Sequence, residues 1–319
     1  TAVANAIRVK GGTSAQLIYP SGFVSAIQAI QTGITPKLVV TTTPGAAITA
    51  TPAEGFKVVK GTAGADGMCT LELPKAGTWH VTAMANSVSN SQHIVIGTQN
   101  MLLPLYHDTF ANNTWEEIIT VCRTGIAPDS WAVGDSKTMN IGGTAYQVDI
   151  IGKNHDEYAD GSGTAPLTFQ LHDCYSEAKQ MYSTNLSGLG WKNTDMRLTY
   201  LPAILALMPA EVQNGIHAVN KKTSEGGNST TIETVSDTLF LLSEVEIFGT
   251  ASSSVSGEGS QYDYYKAGNP KIKKREGVDE FWWERSSASG GMFCRVRANG
   301  QAGASNASNS LGVSFAFCF

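Results

Sequence analysis

The densest group of potentially reactive side chains lies in one short segment. His155, Asp156 and Asp160 stand close together, and Gly161 follows them. Two carboxylates four positions apart can chelate Ca²⁺ when backbone carbonyls complete its six to eight oxygen ligands. The spacing does not follow the EF-hand pattern, so a loop held by histidine and aspartate hydrogen bonds is the alternative. His155, Asp156 and Asp160 are therefore a candidate metal site, for which Ca²⁺ would be the cofactor.

Cysteines are the second potential source of chemistry. There are five of them, which leaves at least one thiol unpaired, and they fit no zinc-binding spacing. Cys294 and Cys318 fall on strands that could be neighbours, so a disulfide stays open beside the default of buried thiols. The sequence has no His-Glu-x-x-His motif, nucleophile elbow or phosphate-binding glycine loop. We therefore predict that the protein is not an enzyme.

Three further charged groups have structural explanations. Glu246 stands three residues after Ser243, which is the spacing of a helix capping box. Glu284 and Arg285 follow two tryptophans and predict a buried ion pair that supports the terminal sheet. The basic run at 271–275 follows Gly-Asn-Pro and predicts a solvated loop, with a phosphate-rich ligand as the alternative.

The C-terminal segment predicts a buried strand and a hairpin. Large residues alternate with small ones from Val313 to Phe319, which is the period of a strand whose two faces are both buried. This strand is therefore expected in the middle of a sheet. Upstream, Asn299-Gly300 lies between two alternating runs and predicts a two-residue hairpin turn, in which both positions need positive φ.

The same segment carries a candidate binding surface. Arg295 and Arg297 occupy consecutive positions on one strand face, which favours an exposed surface that contacts a partner. Small polar loops at 286–291 and 301–306 flank the strands, and adaptable loops on a rigid frame are typical of binding sites. Plain surface loops are the alternative. Tyr262 and Tyr264 add aromatic side chains that can stack on sugars or anchor proteins, and at least one of Tyr262, Tyr264 and Tyr265 is expected in the core.

Composition excludes several classes of partner. Charged residues are 15% of the chain, against about 25% in typical proteins, and a low charged fraction is common in extracellular β-rich proteins. The net charge of −5 and pI of 5.7 provide no attraction to nucleic acid or an anionic membrane. No stretch approaches the roughly 20 apolar residues of a membrane helix, so we expect no membrane insertion.

Elements along the chain predict an α+β fold in three parts. Residues 1–35 contain one short amphipathic segment, which suits attachment or oligomerisation. Residues 36–98 alternate short strands with turn signals, at the spacing of an immunoglobulin-like or prealbumin-like sandwich with Trp79 in its core. We expect this domain to be an immunoglobulin-like spacer. From 99 to 319 helices and strands mix; a capping box at Thr114 starts one helix, and Asp195 is expected to cap another.

The N-terminal segment resembles one that recurs in tail proteins of phages and prophages of Gram-positive gut bacteria. The resemblance is carried by Gly12-Thr13-Ser14, Pro20-Ser21-Gly22-Phe23 and Ala26-Ile27-Gln28-Ala29-Ile30. It implies attachment to other tail subunits in a virion, as a homotrimer.

Residues 110–319 resemble a domain common at the C-termini of such tail proteins, and more distantly the C-type lectin-like fold of sulfatase-modifying factors. The segments that carry this resemblance are Gly152-Lys153-Asn154-His155-Asp156, Ala159-Asp160-Gly161, Leu241 to Gly249, Glu258 to Tyr262, Trp282 to Ser286 and Asn306 to Phe319. It implies a C-type lectin-like domain that binds ligand. It also raises an enzyme alternative, a thiol oxidase or cell-surface hydrolase, centred on the cysteines or the His155 loop.

Domains of this type are similar to the targets of diversity-generating retroelements, which rewrite a terminal segment within a constant frame. The resemblance implies variable ligand contacts at Ser287, Ser289, Gly291, Arg295, Arg297, Gln301 and Gly303. The expected function is a phage tail receptor-binding protein that recognises a glycan or protein on the host cell surface. A purely structural tail or virion decoration protein is the other alternative.

Overall fold

A computed structural model describes residues 36–319 except 54–56, 75, 97–98 and 228, and leaves the side chains of 97–102 undescribed. The predicted attachment segment at 1–35 lies outside this part. The chain forms two compact units, Thr1–Tyr106 and His107–Phe319. Strands hold 37% and helices 15% of the residues, which is compatible with the α+β class. The predicted boundary at 98/99 falls before this division.

The described residues of the first unit form seven strands in two sheets. The strands are β1 Lys37–Thr41, β2 Ala47–Pro52, β3 Val59–Thr62, β4 Met68–Glu72, β5 Gly77–Ala85, β6 Val88–Ile96 and β7 Gln99–Leu102. One sheet has the order β4-β1-β7 and the other β3-β2-β5-β6. Both contribute side chains to one core, where Trp79 is buried as predicted. Every strand pair is antiparallel except β1 with β7.

The second unit mixes twelve described strands with five short α-helices. The helices are α1 Trp115–Cys122, α2 Leu201–Leu205, α3 Ala210–Gly215, α4 Glu244–Phe248 and α5 Asp263–Lys266. The strands are β8 Ser136–Ile141, β9 Thr144–Gly152, β10 Thr168–Leu171, β11 Val219–Ser224, β12 Ile232–Asp237, β13 Leu239–Phe240, β14 Lys273–Arg275, β15 Val278–Glu280, β16 Trp282–Ser287, β17 Met292–Val296, β18 Ala302–Asn306 and β19 Ala316–Cys318. Among the described residues, no helix is long and apolar enough to cross a membrane.

The terminal strand is central, as its alternation predicts. The largest sheet has the order β13-β19-β10-β9-β8, so β19 pairs on both sides. The ring of Phe317 stacks on that of Phe169 in β10 with 5.3 Å between centroids, and Trp115 of α1 packs edge-on against Phe169 and Phe319. Burial of these aromatic rings fixes the last strand in the core of the unit.

Helix starts follow the predicted caps in two cases of three. Thr114 and Ser243 each form a complete capping box, at the starts of α1 and α4. Asp195 was expected to cap a helix, but its side chain makes no capping hydrogen bond there. The hydroxyl of Thr194 accepts from the backbone N–H of Arg197 instead, because it stands at the position from which a side-chain oxygen reaches the first free N–H groups.

The terminal hairpin forms with a longer loop than predicted. β17 and β18 pair antiparallel within the sheet β16-β17-β18. The turn is closed by Gly300 N–H donating to the Arg297 carbonyl and Arg297 N–H donating to the Gln301 carbonyl, both at 2.7 Å. Gly300 has φ of +81° whereas Asn299 does not have positive φ. The loop therefore has three residues and a glycine in the left-handed region, which is the next commonest hairpin type.

The basic run does not form a solvated loop. Lys273 begins β14, and its ammonium donates to the backbone carbonyls of Leu171 and His172. Burial lowers the pKa of Lys273 to about 8. The prediction was wrong because the run pairs with β15 in a hairpin, which turns one lysine inward while its neighbour Lys274 stays exposed.

Candidate functional site

Four buried charged side chains meet in the second unit, and we call them the charge cluster: Asp156, Lys221, Glu246 and Arg285. The ammonium of Lys221 lies 2.6 Å from Asp156 Oδ1 and 2.7 Å from Glu246 Oε1. Arg285 binds both carboxylate oxygens of Glu246, with Nη2 to Oε1 at 2.9 Å. The phenol of Tyr262 donates to Asp156 at 2.8 Å. The cluster thus connects β11, α4 and β16 to the loop after β9.

The electrostatics of the charge cluster keep all four groups ionised. Burial alone would raise the pKa of Asp156, but Lys221 and the Thr168 hydroxyl lower it to about 2. Burial likewise opposes ionisation of Glu246, whose pKa Arg285 and Lys221 nevertheless lower. The pKa of Lys221 is raised despite burial, because Asp156 and Glu246 both attract its proton. Two positive and two negative charges cancel, which is what permits their burial.

Local structure explains how each charge enters the core. β11 alternates Val219, Lys221 and Thr223 inward, so strand geometry points the Lys221 side chain to the buried side. Glu246 is the acidic member of the α4 capping box, and its Oε2 also accepts from the backbone N–H of Ser243. The register of β16 with β17 shifts between Trp283 and Ser287, so Arg285 lies in an irregular stretch of the strand.

The predicted Glu284–Arg285 ion pair does not form. Arg285 pairs with Glu246 and also donates to the carbonyls of Lys222, Leu241 and Glu258. Both carboxyl oxygens of Glu284 are buried without a hydrogen-bond partner among the described residues. Burial, together with the neighbouring Glu244 and Glu258, raises the pKa of Glu284 well above its usual value. Adjacent residues of a strand point to opposite sides, which separates Glu284 from Arg285.

The candidate metal residues are held by other contacts. Asp156 accepts from Lys221, Tyr262 and Thr168, while exposed Asp160 accepts from the backbone N–H of Ser162. No group of three or more His, Cys, Asp or Glu side chains that could hold a metal occurs in the described part of the chain. A calcium ion at this loop stays a prediction. The hydrogen bonds of Asp156 agree with the alternative prediction, in which the loop is held by hydrogen bonds instead of a metal ion.

All five cysteines are free and buried, so Cys294 and Cys318 do not form a disulfide. Burial raises the pKa of every thiol: Cys69, Cys122, Cys174, Cys294 and Cys318. A reactive thiol needs the opposite shift, since the thiolate is the nucleophile. The geometry therefore supplies no activated thiol for the oxidase alternative.

The tyrosines near 262 are core residues and do not form a recognition surface. Tyr262 is fully buried within the charge cluster, and Tyr264 is 8% exposed. The hydroxyl of Tyr265 donates to the side-chain oxygen of Gln170 at 2.6 Å. The prediction was wrong because α5 packs these rings inward and the interior supplies partners for their hydroxyls.

An exposed surface remains on the terminal hairpin. We define the hairpin face as Phe281, Arg295, Arg297 and Gln301. The guanidinium of Arg295 lies 4.2 Å from the ring centroid of Phe281, which is 38% exposed. Nε of Arg295 donates to the Ala304 carbonyl and Nε of Arg297 to the Ala302 carbonyl, so both side chains are held across the hairpin.

The terminal amino groups of both arginines make no hydrogen bond within the described residues, and Nη1 of Arg295 is buried. Burial and the nearby charge of Arg297 lower the pKa of Arg295. The exposed guanidinium of Arg297 is suited to carboxylate or phosphate, which accept two parallel N–H bonds, whereas Arg295 can offer such a ligand only its other terminal amino group, Nη2.

The other predicted ligand contacts divide into exposed and structural positions. Ser289 is exposed, whereas Ser287 is buried with its hydroxyl unpartnered among the described residues. A Cβ at Gly291 would lie 2.5 Å from the Asn185 carbonyl oxygen, and one at Gly303 would lie 2.8 Å from Nε of Arg297. Burial removes Ser287 from the exposed ligand contacts, and the Asn185 backbone leaves no room for a side chain at Gly291. At Gly303 the contact is with the flexible side chain of Arg297, so variation there stays a prediction.

A cavity of about 460 Å³ lies beside the charge cluster. Asp156, Lys221 and Glu246 contribute to its lining, together with His155 and Asn220. The sequence analysis singled out His155 and Asp156 but missed Lys221. The signal that could have found Lys221 is its position between Val219 and Thr223, in a strand that alternates inward and outward.

In a comparison with protein families, residues 168–319 match the model of a family described as "Domain of unknown function (DUF6273)". The matched region begins at β10 and includes the hairpin face, Lys221, Glu246 and Arg285, but not Asp156. Comparison with curated proteins found no match, and neither did comparison with the solved structures.

Proposed function

We propose that the second unit is the ligand-binding head of a phage tail receptor-binding protein, and that the hairpin face contacts the host cell surface. The observation that carries the proposal is the pair of arginines held across β17 and β18 beside an exposed phenylalanine. An aromatic ring and arginines at a surface are typical of residues that dominate binding energy. Their unused donors favour a ligand with carboxylate or phosphate groups.

Three further elements of the proposal rest on the sequence and its resemblance to tail proteins. Two of them, a C-type lectin-like fold for the head and attachment to other tail subunits as a homotrimer in the virion, come from that resemblance directly. The third, an immunoglobulin-like spacer for the first unit, comes from the spacing of its strands and turns. Repetition of weak contacts across a trimer would raise the overall affinity for a cell surface. Sequence diversification fits the exposed positions Ser289, Arg297 and Gln301 best, because packing does not constrain their side chains.

Binding to cells tests the proposal. The labelled full chain is incubated with a panel of Gram-positive gut bacteria, beside the variant Arg295→Ala/Arg297→Ala. A Lys57→Ala/Lys60→Ala variant is the control, because it removes the same charge from exposed positions of the first unit. We expect binding by the wild type and the control, and loss in the arginine variant.

A second variant separates binding from folding, because Arg295 is half-buried. Arg295→Lys/Arg297→Lys keeps the charge but removes the planar forks, so we expect weaker binding at unchanged thermal stability. Equal binding by the arginine variants, at wild-type stability, would overturn the assignment of the hairpin face. Absence of binding by the wild type to every strain would favour a structural role in the virion.

A further inference from the structure

The cavity beside the charge cluster has the size and access of a small-molecule site. Its volume of about 460 Å³ falls within the range of about 300–1,000 Å³ typical of ligand pockets. β11 contributes Asn220 and β12 contributes Thr234, while Ser260 stands on the rim after Gly259. None of these residues belongs to the hairpin face.

The cavity lining has three carboxylates and two lysines, and Arg285, which pairs with Glu246 outside the lining, balances the remaining negative charge. Within the charge cluster Asp156 and Glu246 are neutralised by Lys221 and Arg285. Two exposed lining residues of opposite charge, Glu157 and Lys222, add no net charge. Burial lowers the pKa of His155, so its imidazole is neutral at pH 7. A ligand with a net charge would therefore gain little electrostatic binding energy from this cavity.

Unused hydrogen-bonding groups remain at the rim. The hydroxyls of Thr234 and Ser260 and the carboxylate of Glu157 make no hydrogen bond in the described part of the chain. Asn220 uses one amide hydrogen in a long 3.5 Å contact, which leaves its amide oxygen free. His155 stacks on Tyr262 with 3.9 Å between ring centroids, which fixes the orientation of the imidazole. These groups both donate and accept, as sugar hydroxyls do.

We propose that this cavity binds a neutral saccharide unit through Asn220, Thr234, Ser260 and His155. The hydroxyls of Thr234 and Ser260 and the amide of Asn220 complement the hydroxyls of a sugar ring. The balanced charges around the cavity discriminate against anions and cations. The site is separate from the hairpin face, so it goes beyond the function proposed above.

Titration of the full chain by isothermal titration calorimetry tests this site. The probes are a panel of neutral mono- and disaccharides, with glycine as a zwitterion and inorganic phosphate as an anion. We expect at least one neutral sugar to bind. Asn220→Ala and Thr234→Ala should each weaken that sugar about three- to tenfold, which is the loss of one ordinary hydrogen bond.

Two more variants make the outcome decisive. Thr234→Trp should abolish sugar binding, because the exposed position on β12 would place an indole across the cavity. Lys57→Ala/Lys60→Ala, which changes exposed positions of the first unit, should leave sugar binding unchanged. Failure of every neutral sugar to bind, binding of phosphate or glycine alone, or a sugar affinity that none of the cavity variants changes would overturn the proposal.

Discussion

Replacement of Lys221 by methionine should destabilise the second unit severely. The ammonium lies within 2.7 Å of two carboxylates and is 2% exposed. Glu246 would keep Arg285 as a partner, but Asp156 would lose the cation that it binds. Removal of one partner from a buried ion pair costs about 3–5 kcal/mol. Since domains of this size have total free energies of unfolding of about 5–15 kcal/mol, we expect Lys221→Met to remove a large share of the free energy of unfolding of the second unit.

Urea unfolding followed by tryptophan fluorescence measures this loss. Five of the six tryptophans lie in the second unit, so the signal reports mainly on that unit. Lys222→Met is the matched control, because the next lysine is exposed and makes no ion pair among the described residues. Its effect should stay within about 0.5 kcal/mol. Equal destabilisation by the two variants would refute the reasoning.

Acid unfolding gives a second measurement of the ion pair between Lys221 and Asp156. The pKa of Asp156 is lowered from 3.8 to about 2, and one pKa unit corresponds to about 1.4 kcal/mol. The ionised carboxylate therefore contributes about 2 kcal/mol, which is present above pH 4 and lost as the pH falls toward 2. Lys221→Met should move acid unfolding to higher pH, and Lys221→Met/Asp156→Asn should recover part of the loss at pH 7. No recovery in the double variant would contradict the pairing.

Three other measurements address the remaining features. Glu284→Gln should flatten the decrease in unfolding free energy as the pH rises above the unfolded pKa of glutamate, because the raised pKa of the Glu284 carboxyl gives a contribution to stability that is full below the unfolded pKa and is lost as the pH rises; a parallel decrease in the variant would contradict this. Thr114→Ala should cost about 1 kcal/mol in urea unfolding through loss of the capping box, and no change would show that the cap is dispensable. All five thiols should react with a thiol reagent only upon unfolding, since they are buried with raised pKa values; immediate reaction of the native protein would count against this burial.

Local signals in the sequence predicted those elements that depend on neighbouring residues. The capping boxes at Thr114 and Ser243 need only four consecutive residues, and both form. The alternation before Phe319 reports burial of both strand faces, which is why the central position of β19 could be predicted. The hairpin at Gly300 was located correctly, although its loop type differs because Asn299 does not adopt positive φ.

Contacts between distant residues were not predictable in the same way. Lys221 finds Asp156 65 residues away and Arg285 finds Glu246 39 residues away, so no spacing rule identifies them. The pairing of Arg285 also depends on the irregular stretch in β16, which no composition signal marks. Tyr262 was predicted at the surface because glycines and polar residues surround it in the sequence. The same local sequence is compatible with burial when a distant carboxylate, here that of Asp156, accepts a hydrogen bond from the tyrosine hydroxyl.

The charge cluster also explains how the hairpin face can vary without loss of the fold. Arg285 of β16 binds the carboxylate of Glu246 in α4 and the carbonyl of Lys222 in β11. β16 pairs in turn with β17, which contains Arg295. The sheet is thus fixed from its buried side by ion pairs that demand one geometry. Exposed positions such as Arg297 and Gln301 contribute little to that support, and substitutions there should change unfolding free energy by less than about 0.5 kcal/mol. Under the function proposed above, substitutions at the tip of the hairpin would therefore change binding specificity while the sheet beneath it stays constant.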